Sequence, residues 1–133
     1  MGYQTTFKGR FTLDRPLTIA QVEELRSFAD ADHREGVGGS PSNYCQWVPS
    51  KDGAGIEWDQ NEKFYGYVEW LELLIDRFIK PWSYVLSGRV EWQGEEGKDQ
   101  GVIHVKDNRV RALPNVITEP DPTWKIDKPE PKW

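Results

Sequence analysis

Phe64, Tyr67, Val68, Leu71, Leu74, Ile75 and Phe78 recur at the i, i+3, i+4, i+7 spacing of one helical face, which predicts a core-facing helix from Asp59 to Lys80. Asp59 with Glu62 three residues on reads as its capping pattern, and Pro81 disfavours the helical conformation at its far end. An earlier helix is signalled by Thr18-Ile19-Ala20-Gln21, a capping box, with Leu17 and Val22 at the positions of a hydrophobic staple. Its apolar stripe, Ile19, Val22, Leu25, Phe28 and Ala29, runs to about Ala31.

Other segments alternate with period two. Phe7, Gly9, Phe11 and Leu13 interleave with Lys8, Arg10 and Thr12, the pattern of a half-buried strand ended by Pro16. Tyr44 to Val48 and Gly55 to Trp58 read as a hairpin around the turn signal Asp52-Gly53. Leu86, Gly88, Val90 and Trp92 alternate with Ser87, Arg89 and Glu91, and a turn from Gly94 to Asp99 leads to Val102–Val105. Asp107-Asn108 supplies the left-handed residues of a tight turn before a final edge strand, Val110 to Leu113. The stretch from Asp32 to Asn43, with Gly36, Gly38, Gly39 and Pro41, reads as a mobile loop.

Two helices separated by paired strands pack most economically on one face of a sheet. The expected fold is α+β, a mainly antiparallel sheet in the β-α-β-β-α-β-β order of a ferredoxin-like plait. One domain is expected over residues 1–113. From Pro114 to Trp133 five of the nine prolines alternate with charged residues, which predicts a tail without packed elements. Trp124 and Trp133 stand out in it as aromatic groups able to dock on the body or on a partner.

A net charge of -5 argues against sequence-independent nucleic-acid binding, which needs a clustered excess of Lys and Arg. Cys45 is the only cysteine, so no intramolecular disulfide forms and a reducing cytoplasm is the expected compartment. Met1 to Thr12 lacks the apolar core of a signal peptide, and no apolar run approaches the roughly 18 residues of a spanning helix, so no membrane role is expected.

Candidate chemistry is sparse. His33 and His104 form no zinc-like pair, Cys45 sits in a strand-like run, and the loop around Gly36-Val37-Gly38-Gly39-Ser40 lacks a phosphate-binding lysine. No catalytic set, metal site or cofactor is assigned. Glu57 and Asp59, with Glu91 across the sheet, form the one carboxylate group able to serve a divalent ion in a hydrolase. The alternative for Asp59 and Glu62 is plain helix capping. Trp92 reads as core, whereas Trp70 falls off the main helical stripe with Tyr65, Glu69 and Leu73. Those four and Trp124 make a candidate partner-binding set, for a host protein or a second copy of the chain. Trp47 and Trp58 with Glu57 and Asp59 are the candidate set for a small ligand or nucleotide, with the Gly36 to Asn43 loop closing over it.

The succession Cys45-Gln46-Trp47-Val48-Pro49, Ile56-Glu57-Trp58-Asp59, Glu62-Lys63-Phe64-Tyr65, Tyr67-Val68-Glu69-Trp70-Leu71, Pro81-Trp82, Tyr84-Val85-Leu86, Gly88 and Val90 to Glu95 resembles a family of small uncharacterised proteins of bacteriophages and bacteria. The resemblance spans about Gly2 to Val110 and carries no active site. It implies a phage or mobile-element origin, and with it a non-enzymatic accessory protein that occupies a host protein, as anti-defence inhibitors such as anti-CRISPR proteins do.

Overall fold

The computed structural model describes residues 3–31, 44–62 and 64–114. Strand β1 (Thr5–Leu13) lies inside a sheet whose other strands are β2 (Trp47–Pro49), β3 (Gly55–Trp58), β4 (Leu86–Gly94), β5 (Gln100–Lys106) and β6 (Arg109–Pro114). Their order across the sheet is β2-β3-β1-β4-β5-β6, and every neighbouring pair is antiparallel. The α+β class and the antiparallel sheet thus hold. The six-strand order extends beyond a four-stranded plait, because β4, β5 and β6 run on as a meander.

Helix α1 (Ile19–Asp30) begins where its capping box puts it. Thr18 Oγ1 accepts from the Gln21 amide at 3.1 Å, and Gln21 Oε1 accepts from the Thr18 amide at 2.9 Å. Leu25 and Ala29 are buried, but Ile19 is 79% exposed: at the first helical position it lies outside the stripe that faces the sheet. Leu25 joins Trp70, Leu71 and Leu74 of helix α2 (Tyr67–Leu74) in one core with Phe7, Phe11, Val90 and Ile103 of the strands. Phe28 bridges the helices, edge-on to Trp70 at 5.9 Å and to Phe78 at 5.2 Å.

The second helix is shorter than the Asp59–Lys80 reading. Its N-cap is Gly66 in the left-handed conformation, φ 68°, with no side-chain cap. Asp59 does not cap it. The Asp59 amide donates to Gln46 O at 2.9 Å, prolonging the β2–β3 pairing, while its carboxylate accepts from the Asn61 amide at 2.8 Å and from Asn61 Nδ2 at 3.0 Å. That local turn, with Gln60 at φ 75°, outcompetes helix for the Asp59 carboxylate. After Leu74 the helix widens into a π-helical turn, Ile75–Ile79, in which the Lys80 amide donates to Ile75 O at 2.8 Å. Ile75, Phe78 and Ile79 all remain buried along it.

The expected turns are present. Asp52 Oδ1 accepts from Ser50 Oγ at 2.6 Å and from the Ala54 amide at 3.0 Å, and Gly53 takes φ 73°. Asp107 and Asn108, at φ 51° and 67°, connect β5 to β6. Asn108 also ties this turn to the entry of β4: its Oδ1 accepts from the Leu86 amide at 2.6 Å and its Nδ2 donates to Tyr84 O at 3.0 Å. No helix among the described residues is long and apolar enough to cross a membrane. The expectations for the Asp32–Asn43 loop, His33, Trp124 and the tail from residue 115 fall outside the described residues.

Candidate functional site

The proposed partner-binding set does not form one surface. Trp70 is 0% exposed, wedged against Phe28 in the layer between helix and sheet. It is off the main stripe because α1 packs there: a second apolar stripe was needed to meet a second helix. Leu73 is half-buried, while Glu69 and Tyr65 are exposed, the Tyr65 hydroxyl accepting from the Tyr3 amide at 3.2 Å. Trp124 is outside the described residues.

The ligand set splits too. Trp47 is 1% exposed and its Nε1 donates to Tyr67 O at 2.8 Å; Trp58 is 9% exposed and its Nε1 donates to Gln46 Oε1 at 3.2 Å. Both pack edge-on around Phe7, at 5.4 Å and 5.2 Å. Their rings are core, with no face free to stack on a ligand. The margin of Trp58 nevertheless joins Glu57 and Asp59 in lining a groove of about 620 Å³ beside β2, together with Lys8, Arg26 and Lys51.

Glu57, Asp59 and Glu91 are not assembled for a metal. Glu91 is ion-paired with Arg89 at 3.2 Å, Asp59 is taken up by Asn61, and among the described residues no group of three or more His, Cys, Asp or Glu side chains could hold an ion. Cys45 is 1% exposed, and burial pushes its thiol up to about 12; the neutral S–H lies 3.6 Å from Trp47 O. A thiol held neutral in the core is no nucleophile at neutral pH.

The face of the sheet opposite the helices carries a feature that net charge hides. Side chains opposite one another on paired strands share a face. The register places Arg10 opposite Arg89, Arg89 opposite His104, and His104 opposite Arg111, one continuous row across β1, β4, β5 and β6. At about 4.8 Å per strand the row spans roughly 14 Å. Lys8 lies one step along β1, and Lys106 and Arg109 face each other at the end of the β5–β6 hairpin. Among the described strand residues, six Lys and Arg side chains therefore share this face with two acidic ones, Glu57 and Glu91. Lys8, Arg10, Lys106 and Arg109 are exposed, and Arg89, His104 and Arg111 are half-buried.

Directly opposed like charges weaken a sheet, so the Arg10–Arg89 pair is a local cost to the fold. Two ion pairs soften it, Arg10 with Asp52 at 3.5 Å and Arg89 with Glu91 at 3.2 Å. The sequence does hold the signal, because the outward positions of the alternating strands are where these cations fall. Assembling them into a row required the strand order. Compared with family models, with curated proteins and with solved structures, the chain finds no match.

Proposed function

We propose that this chain is a non-enzymatic binding protein that acts in the cytoplasm by occupying a host protein, in the anti-defence manner that its resemblance to small phage and bacterial proteins implies. The observation that carries the reading is the separation of charge: an acidic chain gathers Lys8, Arg10, Arg89, Lys106, Arg109 and Arg111 on one sheet face at some expense to its own strand pairing. Binding surfaces are where a fold tolerates such local costs. We further propose that β2-β3-β1-β4 with α1 and α2 is a ferredoxin-like plait, prolonged by β5 and β6; supporting this, β1 lies between β3 and β4, and helices connect β1 to β2 and β3 to β4.

The test is a tagged pull-down from host lysate, read by native mass spectrometry of the intact complex. A stoichiometric protein partner is expected. A chain that emerges bare, or carrying only a small-molecule mass, overturns the reading.

A second reading, a small-ligand domain, is favoured by one observation: Glu57, Trp58 and Asp59 line a single groove with Lys8 and Arg26. A retained small molecule in the same spectrum, displaced by Lys8→Glu, would establish it.

A further inference from the structure

Strand β6 is the last of the sheet, and its outer margin meets no strand among the described residues. The two-residue Asp107-Asn108 turn makes Lys106 and Arg109 a hydrogen-bonded pair, so bonding to β5 recurs at Arg111 and Leu113. The N–H and C=O groups of Val110 and Ala112 therefore point away from β5, along the free margin. The other edge offers less: β2 is three residues long, and its Pro49 carbonyl already accepts from Arg26 at 3.1 Å.

The two sides of the β6 margin differ in chemistry. Lys106 and Arg109, both exposed, face each other on the side away from the helices. On the helix side a groove of about 340 Å³ is lined by Glu72, Ile75, Asp76, Asn108, Arg109 and Val110. Asp76 is paired with Lys80 at 3.2 Å, while Glu72 has no ion pair among the described residues. Partial burial, with Glu69 and Asp76 adding repulsion, raises the Glu72 carboxyl above its ordinary range, so a cation placed there would be welcome.

This inference rests on the protein-binding reading above. We infer that β6 takes up an extended segment of the protein partner as a seventh strand, acidic on the side of Lys106 and Arg109 and apolar or basic on the side of Ile75, Val110 and Glu72. Main-chain ladder bonds to Val110 and Ala112 would supply affinity, and alternate side chains would supply selection. A residue opposite Arg109 falls at a non-hydrogen-bonded site, with Cα atoms about 4.5 Å apart, which brings a carboxylate within reach of the guanidinium.

A second copy of β6 fits this margin poorly. Setting Val110 against Val110 of the copy places Arg109 opposite Arg111, and setting it against Ala112 places Arg111 opposite Arg111. The register centred on Ala112 avoids those clashes but sets Val110 against Pro114, which has no N–H to give.

The experiment uses the full chain and a fluorescein-labelled peptide, Thr-Glu-Val-Glu-Lys-Glu-Val-Thr, followed by anisotropy, with amide hydrogen exchange read by NMR. In the free chain the Val110 and Ala112 amides should exchange fast and the Arg111 amide slowly; the peptide should slow the first two. Ala112→Pro removes an outward N–H without a bond to β5, and should weaken binding about tenfold or more while leaving the melting temperature nearly unchanged. Arg109→Glu should weaken this peptide and favour one with Lys in place of each Glu. The same peptide N-methylated at alternate residues on its ladder side should not bind. The proposal is overturned by absence of peptide binding, by equal binding of the N-methylated peptide, or by Val110 and Ala112 amides already protected in the free chain, which would mean that residues 115–133 or a second copy cover the edge. The pull-down separates this failure from that of the broader reading, because a stoichiometric partner captured equally by wild type and by Ala112→Pro keeps the protein-binding function and removes this edge from it.

Discussion

Trp47 and Trp58 stand opposite each other across the β2–β3 pair, and each turns its indole N–H to an internal acceptor, Tyr67 O for Trp47 and Gln46 Oε1 for Trp58. With Phe7, Phe64 and Tyr67 they form an edge-to-face aromatic cluster, so a short hairpin is anchored by ring packing more than by its few ladder hydrogen bonds. These two tryptophans are thereby structural where they are best placed to look functional.

The same logic governs Trp70. Replacing it with Ala should lower unfolding free energy by about 3–5 kcal/mol, because a fully buried indole leaves a cavity between α1 and α2. Urea titration measures the loss. A change below about 1 kcal/mol would place Trp70 on the surface and restore it as a contact residue.

Asn108 combines a left-handed backbone with two side-chain hydrogen bonds to the entry of β4. Asn108→Gly keeps the backbone freedom and loses only the bonds, whereas Asn108→Ala loses both. We expect losses of about 1–2 kcal/mol for Gly and about 1 kcal/mol more for Ala in thermal or urea unfolding. Equal losses would mean that the conformation carries no strain relief of its own.

Cys45 should resist thiol reagents. With burial holding its value at about 12, against an ordinary 9.0, the native thiol at pH 8 should remain unmodified by an aromatic disulfide reagent and react fully in guanidinium. Since the folded value is the higher one, the neutral-thiol contribution is complete below pH 9.0 and is lost as pH rises towards 12. Rapid stoichiometric labelling under native conditions contradicts the buried assignment.

Asp52 is held down to about 2 from its usual 3.8, first by the Ser50 hydroxyl, then by the Ala54 amide, with Arg10 adding attraction. The folded value is the lower one, so the contribution is present above pH 3.8 and disappears as pH falls towards 2. Asp52→Asn should therefore lower the melting temperature at neutral pH, and the gap from wild type should close at acid pH. A gap that persists unchanged to pH 2 would locate the effect in the turn's shape instead of its charge.

Much of the fold is legible from local chemistry. The capping box at Thr18, the Asp52-Gly53 and Asp107-Asn108 turns and the alternation of β1 and β4 are each written in neighbouring residues. The start of α2 is not, because Asp59 satisfies two rules, helix cap and local turn, and only the continuation of β3 pairing decides between them. Trp70 misleads for a related reason: a residue off one apolar stripe is either exposed or packed on a second neighbour, and periodicity within a single helix cannot tell α1 from solvent. The basic row is more distant still, since Arg10, Arg89, His104 and Arg111 meet only after four strands take their places.

Strand β2 ends in Pro49, which has no N–H to offer an incoming strand, and the Arg26 guanidinium already donates to the Pro49 carbonyl at 3.1 Å. That margin of the sheet is thus sealed by a ring and a cation. A template-driven polymer that grows by adding strands edge to edge would find no purchase there, so runaway self-assembly of this molecule could not pass through it in both directions.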